Sequence, residues 1–194
     1  SITIPATSLT GVPLGARVML TSASSPATSG SAGTGEIEDY VVTITAPTTD
    51  FGDFSGFADA SQGVSPSLRM GSLIDAEYSP TKNTTATGDD TANLADEDGV
   101  TLPSMTAGQV LTIPDVATNS TGALGYLNAW IDFNNNGVLT DSGEQIATNI
   151  NIPTGSDDST FTINVTVPIA AVTGTNVGAR FRLSAPTSPG PTGA

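Results

Sequence analysis

The stretch IDFNNNGVLTDSGE, residues 131–144, places short oxygen-bearing side chains at alternate positions before a glycine. Asp132, Asn134 and Asn136 stand at the first, third and fifth positions of this pattern, and Gly137 stands at the sixth. Calcium loops use such an alternation because Asp and Asn bring several hard oxygens onto one ion, while glycine permits the bend. The pattern predicts a calcium site.

Three further groups extend the predicted ligand set: the backbone carbonyl of Val138 and the carboxylates of Asp141 and Glu144. An EF-hand would carry its bidentate Glu at the twelfth position, where this chain has Gly143. The fit is therefore to a broader Asx-rich calcium loop. The alternative is an ordinary Asn-Gly turn between two strands, since both residues tolerate positive φ.

A second group of acids lies upstream and is opposed only by Lys82. Its members are Asp75, Glu77, Asp89, Asp90, Asp96, Glu97 and Asp98. Such a run is typical of a solvated face. The apolar residues threaded through it (Leu73, Ile74, Leu94, Val100) instead favour packing, and packed carboxylates repel one another unless cations bridge them. A second calcium site remains open here, with Asp75, Glu77, Asp89, Asp90, Asp96 and Asp98 as its ligands.

Two absent residue types limit the chemistry. The chain has no Cys and no His, so disulfides, thiolate metal sites and the usual general base are excluded. A glycosidase built on a carboxylate pair is formally possible. However, aromatic residues make up only 5% of the chain, which is few for a sugar-binding cleft. We expect no catalytic residues and no enzyme.

The net charge limits the partners. Acids outnumber bases 19 to 5, which gives a formal charge of −14 and makes nucleic acid a poor partner. No apolar run has the length of a membrane span, so we expect no membrane insertion. Since a single lysine cannot neutralise these carboxylates, divalent cations, above all Ca²⁺, are the expected counterions.

The chain is expected to be all-β. Thr and Val favour extended chain, Gly, Asn and Pro interrupt it, and no window of helical length has a period near 3.6. The fold predicted is an antiparallel β-sandwich, Ig-like or jelly-roll-like, with an acidic loop-rich connector. Strands are predicted at 37–45, 109–113, 124–133, 145–152, 160–167 and 179–184.

An internal sequence repeat predicts the domain organisation. Aligning Pro5 with Pro168 also aligns Arg17 with Arg180, without gaps. The alignment is typical of a tandem array, entered part-way through one unit of a longer protein. We expect residues 1–47 to be the closing strands of one unit, 48–100 an acidic connector or ordered loop region, and 101–194 the main sandwich of the next unit, without its last strand.

The same alignment raises a question about the two arginines. Arg17 and Arg180 occupy equivalent places in ARVML and ARFRL. A guanidinium can bind a carboxylate such as Asp39 in a fork and lock the closing strand to its neighbour. The alternative is that both arginines are exposed sheet residues with little coupling.

Several motifs resemble the GEVED domain of large bacterial surface proteins. They are AWIDFNNNGVLTDSGEQI, the following FTINVTVP and GARFRLS, and the earlier GEIEDYVVTI. The acidic segment from DFGDFSGFADA to ATGDDTANLADEDGVTLP resembles the one that commonly introduces that domain. The GEIEDY strand stands at the start here, so the module is circularly out of phase.

The resemblance implies a repeated extracellular β-module on a bacterial cell surface. We expect a structural tandem repeat of an adhesin or surface filament, stiffened by calcium. Its partners would be neighbouring copies of the same repeat, in the same chain or in a head-to-tail polymer joined by strand addition. The alternative is a calcium-dependent module that binds glycans or proteins.

Overall fold

A computed structural model describes residues 2, 4–5, 8–24, 27–31, 33–88, 90 and 95–193. These residues contain ten strands and no helix, so the all-β prediction is confirmed. None of the described part forms a helix that could cross a membrane. The chain divides into two compact units, Ser1–Pro47 and Thr48–Ala194.

The first unit is a two-stranded antiparallel sheet of β1 (Pro13–Thr21) and β2 (Gly35–Thr43). The register runs from Pro13 opposite Thr43 to Thr21 opposite Gly35. Every residue of β2 is exposed, and in β1 Leu20 is 72% exposed. Two strands alone bury little apolar surface, and such ribbons are marginally stable in water.

The second unit is a sandwich of two three-stranded sheets. One sheet has the order β5 (Leu68–Met70), β6 (Val110–Asn119), β9 (Ser156–Thr166). The other has the order β10 (Ala179–Ser184), β7 (Gly125–Ile131), β8 (Gln145–Ile152). A short pair, β3 (Thr49–Phe51) and β4 (Ser61–Gly63), completes the unit.

The main core lies between these two sheets. Ile113 and Ile163 come from one sheet, Leu127 and Ile152 from the other, and all four are fully or almost fully buried. Along β6 the buried residues alternate with less buried ones, as a strand with one face toward a core requires. The predicted sandwich is confirmed.

A second, smaller core covers the opposite face of the β10-β7-β8 sheet. Trp130 follows Ala129 and precedes Ile131, which both belong to the main core, so its side chain points to the other face. There it packs with Phe57 and Leu139, and Phe54 lies against them. The segment 48–100 thus belongs to the same compact unit as the sandwich and supplies part of its packing.

Strand β6 is longer than the predicted 109–113 because it continues through Pro114. Proline lacks an N–H, so the sequence favours a strand end there. In the structure the Pro114 carbonyl accepts a hydrogen bond from Thr101 N at 3.3 Å, on the edge that faces away from β9. The missing N–H lies on that same edge, so pairing with β9 is unaffected.

Candidate metal centre

The loop 132–144 connects β7 to β8 and is tied at both ends. Ile131 N donates to the carbonyl of Glu144 at 2.9 Å, which closes the loop. Asp132 N donates to the carbonyl of Gly178 at 3.0 Å, just before β10. All oxygens of the predicted calcium loop therefore come from one short connection held at the edge of the sandwich.

Asp132 organises the bend. Its side chain is 1% exposed, with Oδ1 accepting from Asn136 N at 3.0 Å and Oδ2 accepting from Gly137 N at 2.8 Å. Gly137 has φ of 80°, and a Cβ there would stand 2.7 Å from the carbonyl oxygen of Gly56. Glycine is therefore required at this position both by the backbone conformation and by the neighbouring chain.

The two asparagines converge on Asp141. The side-chain nitrogens of Asn134 and Asn136 each donate to Asp141 Oδ2 at 2.8 Å. These hydrogen bonds lower the pKa of the Asp141 carboxyl below its usual value. The carbonyl oxygen of the Asn136 side chain accepts from Val138 N at 2.8 Å, so the loop is internally satisfied on this side.

Glu144 is the residue of the loop whose side chain is not fully hydrogen-bonded. It is 3% exposed, its Oε1 accepts from Asn134 N at 3.4 Å, and Oε2 finds no hydrogen-bond donor among the described residues. Burial raises the pKa of the Glu144 carboxyl, repulsion from Asp132 and Asp141 adds to the rise, and the backbone N–H groups of Asn134 and Phe133 offset part of it. A buried carboxylate oxygen without a donor, beside two other acids, is a position that a cation would stabilise.

The donor set fits calcium only in part. Nowhere in the described ranges do three acidic side chains converge in a way that could hold a metal ion by themselves. An ion here would need the amide oxygens of Asn134 and Asn136 and the Val138 carbonyl besides the carboxylates. The asparagine side chains would have to turn their oxygens toward Asp141, where their nitrogens now point.

Three carboxylates of the second predicted cluster accept backbone N–H groups from separate segments. Asp98 accepts from Ser72 N at 3.0 Å and Ser72 Oγ at 2.6 Å, which fixes the chain after β5. Asp96 accepts from the backbone N of Asp75 at 3.2 Å.

Glu77, a further member of that cluster, lies beside β3. It is 7% exposed and accepts a hydrogen bond from Phe51 N at 3.0 Å. Asp90 is half-buried, and Asp89 lies outside the described residues. Lys82 pairs with Asp59 at 2.8 Å. The contacts of Asp98, Asp96 and Glu77 anchor separate stretches of chain, whereas those of the loop 132–144 are concentrated in one place.

The two aligned arginines differ in their surroundings. Arg17 binds Asp39 in a fork, with Nε and Nη2 each 2.7 Å from a carboxylate oxygen, and both side chains are exposed. Arg180 is 6% exposed and its guanidinium lies 5.1 Å from the centre of the Phe57 ring. Its Nη1 donates to the carbonyls of Ala58 and Pro191.

One buried acid was not among the residues predicted from the sequence. Asp115 is fully buried on the inner face of β6 between Ile113 and Ala117, and neither carboxyl oxygen has a hydrogen-bond partner in the described structure. Burial raises the pKa of Asp115 to about 7. The predicted strand ended at 113, so the sequence pattern did not place Asp115 in the core, and only the longer β6 of the structure does so.

Comparison with known proteins places the loop in a family. Residues 126–194 match the family model of the GEVED domain. No curated protein and no solved structure matches the chain. The matched span runs from β7 through the loop, β8 and β9 to β10 and the residues beyond it. The part of the chain that carries the candidate metal loop is therefore a GEVED domain.

Proposed function

We propose that this chain is a non-catalytic structural repeat of a bacterial extracellular adhesin or surface filament, stiffened by calcium. The repeat is supported by the alignment between the segments that form β1 and β10. The surface location follows the resemblance to GEVED proteins and the strongly acidic composition. The calcium site rests on the loop 132–144.

The observation that carries the calcium proposal is the unpartnered oxygen of Glu144. Burying a charged oxygen without a partner is costly, and the cost grows when other carboxylates lie close by. A divalent cation would offset both contributions at once. Oxygens from Asp, Asn, Glu and a backbone carbonyl are the ligands that Ca²⁺ takes.

The position of the loop explains how an ion would stiffen the domain. The loop joins β7 to β8, donates to Gly178 next to β10, and packs against the Gly56 carbonyl at Gly137. An ion held by its side chains would restrict three parts of the sandwich together. Fewer accessible loop conformations would make the unit a stiffer element of an extended array.

The test is thermal unfolding of the full chain with calcium, with magnesium and with a chelator. Calcium should raise the melting temperature because it binds the native state alone. At a hundredfold excess over Kd, the free energy of unfolding should rise by about 2.7 kcal/mol. Magnesium should have a much smaller effect, since it demands stricter octahedral geometry and dehydrates reluctantly.

Two variants make the test specific. Glu144→Gln keeps the side-chain shape, removes the charge at the loop, and should abolish the calcium shift. Asp157→Asn removes one charge at an exposed site on β9 and should leave the shift intact. An equal calcium response in all three proteins, or none in the unmodified chain, would show that the loop is an ordinary turn.

A second function, calcium-dependent binding of glycans or proteins, is favoured by one observation. A surface cavity of about 590 Å³ adjoins the loop and is lined by Asp141 and Gly143 together with the polar side chains of Asn128, Gln145 and Thr148. Saturable binding to an immobilised glycan array that disappears with chelator would support this function. Binding that is unaffected by chelator would count against it.

A further inference from the structure

The segments that form β1 and β10 align without gaps and share Ala, Arg and Leu at equivalent positions, yet they are paired on different sides. In the first unit β1 pairs with β2. In the second unit β10 pairs with β7 and stands at the edge of its sheet in the described structure. The two aligned strands therefore have different neighbours: β1 pairs with β2, and β10 pairs with β7.

Backbone hydrogen bonds show that these neighbours occupy opposite edges. Ser22 N donates to Thr34 O at 3.1 Å just beyond the strand pair, so Leu20, two residues earlier, points its backbone groups at β2. Leu183 is the residue of β10 that aligns with Leu20. Its carbonyl accepts a hydrogen bond from the side-chain amide of Gln62 at 2.8 Å. A side chain there occupies the place that a strand takes in the first unit.

One charge pair complements this edge. Strand β2 carries Asp39, which lies opposite Arg17 in the first unit, and β10 carries Arg180 at the aligned position. The Nη2 of Arg180 is buried and has no hydrogen-bond partner in the part of the chain that is described. The fork between Arg17 and Asp39 shows how a β2 carboxylate meets an arginine at the aligned position.

We propose that the strand Gly35–Thr43 of a second copy of this chain adds to the edge of β10 that faces away from β7, in the register that β2 has on β1, and displaces the Gln62 side chain from the Leu183 carbonyl. In that register Leu183 lies opposite Glu36, Phe181 opposite Glu38, and Arg180 opposite Asp39. This rests on the proposed function as a repeat that assembles with its own kind. Leaving β1 costs little, because a two-stranded ribbon is marginal and β2 is exposed throughout.

The length of the linker favours a second copy over the chain's own strand. In the proposed register Thr43 lies opposite Asn176, whereas β3 pairs with β4, whose Gln62 contacts Leu183 near the other end of β10. Seven strand residues separate these two places, about 23 Å. The six residue steps from Thr43 to Thr49, through residues 44–48, reach at most about 22 Å when fully extended. The strand of a second copy has no such constraint.

The proposal is tested on the full chain with a synthetic peptide of residues 34–45, TGEIEDYVVTIT. Sedimentation should show that the average assembly size increases with protein concentration. Added peptide should occupy the β10 edge and reduce the assemblies to monomers with bound peptide. Hydrogen exchange should then show new protection at the amides of Phe181 and Leu183, which face the open edge. The amide of Arg182, which already faces β7, should not change.

Two control peptides check the recognition. An Asp39→Asn peptide should bind about tenfold more weakly because it loses the charge-assisted fork. A scrambled peptide of the same composition should not bind. Equal binding by all three peptides would reduce the contact to non-specific attraction and overturn the proposed register.

The remaining outcomes are equally decisive. A monomer whose Phe181 and Leu183 amides exchange freely, with or without peptide, overturns the proposal. A monomer in which they are already protected shows that another part of the same chain closes the edge, which overturns the second-copy assignment. The experiment is repeated with Glu144→Gln: peptide binding that persists there separates strand addition from the calcium site, so either proposal can fail alone.

Discussion

Strands β1 and β10 are aligned segments that share Ala, Arg and Leu, and they lie in two different environments. Leu20 is 72% exposed in β1, whereas Leu183, its counterpart in β10, is 7% exposed in the sandwich core. Arg17 forms an exposed ion pair, while Arg180 is enclosed by Phe57 and backbone carbonyls. At these equivalent positions, the burial of a side chain is therefore determined by what packs against the strand and not by the residue type.

The largest difference between the two units should be their response to pH. The pKa of Asp115 in the sandwich is raised from 3.8 to about 7, so the native state holds a proton that the unfolded state loses. The stability of the sandwich should fall as the pH rises from about 4 to about 7, by up to about 4 kcal/mol. Urea unfolding between pH 4 and pH 8 measures this, and Asp115→Asn should flatten the profile.

The hairpin should respond in the opposite direction. The fork with Arg17 lowers the pKa of Asp39, so its stabilisation is present above the unfolded value of 3.8 and is lost as the pH falls through the lowered value. Hydrogen exchange of β2 amides at pH 3 and pH 6 monitors it. If the stability of both units changes in the same direction with pH, the contrast drawn from Asp115 and Asp39 is wrong.

Truncating the two aligned leucines should give the next largest effect. Leu183→Ala removes a side chain buried in the main core and should lower the free energy of unfolding of the sandwich by about 3 kcal/mol. Leu20→Ala removes an exposed side chain and should change stability by less than about 0.5 kcal/mol. Chemical denaturation of both variants gives the comparison. A large loss for Leu20→Ala would show that β1 is buried against something in solution.

A pair of aligned glycines gives the finest test. A Cβ on Gly178 would stand 2.4 Å from Cζ of Phe57 and 2.6 Å from Cε1 of Phe54, whereas around Gly15 the described residues leave open space. Gly178→Ala should therefore destabilise the sandwich by about 2 kcal/mol through overpacking. Gly15→Ala should be neutral or slightly stabilising, because it reduces the freedom of the unfolded chain. Melting temperatures of the two single variants decide it, and equal shifts would contradict the packing of the Phe54 and Phe57 rings against β10.

Much of the strand pattern could be predicted from the sequence. The segments 145–152 and 179–184 match β8 and β10, because alternation and turn residues mark both ends of each. Strands β3, β4 and β5 were not predicted, since each has three residues and the acidic composition around them favours loops. Short strands of this kind form where neighbouring chain supplies partners, which local patterning does not record.

The candidate site was predicted to a similar extent. The spacing of Asp132, Asn134, Asn136 and Gly137 indicated a bend rich in oxygen ligands, and the structure brings these residues together. That Glu144 is enclosed with a free oxygen could not be predicted, because its burial depends on how the loop folds back on β7. The roles of Asp98, Asp96 and Glu77 as acceptors of distant backbone groups depend on the fold in the same way.

By itself the sequence determined an all-β chain, an Asx-rich bend and a strand segment that occurs twice. These features are local, since propensity, spacing and identity lie within a few consecutive residues. Only the tertiary structure decided which copy of that strand is buried, that Asp115 lies in the core, and which backbone edge of each copy is paired. Burial and pairing are set by residues far apart in the chain, so two similar segments can form an exposed ribbon in one unit and part of a core in the other.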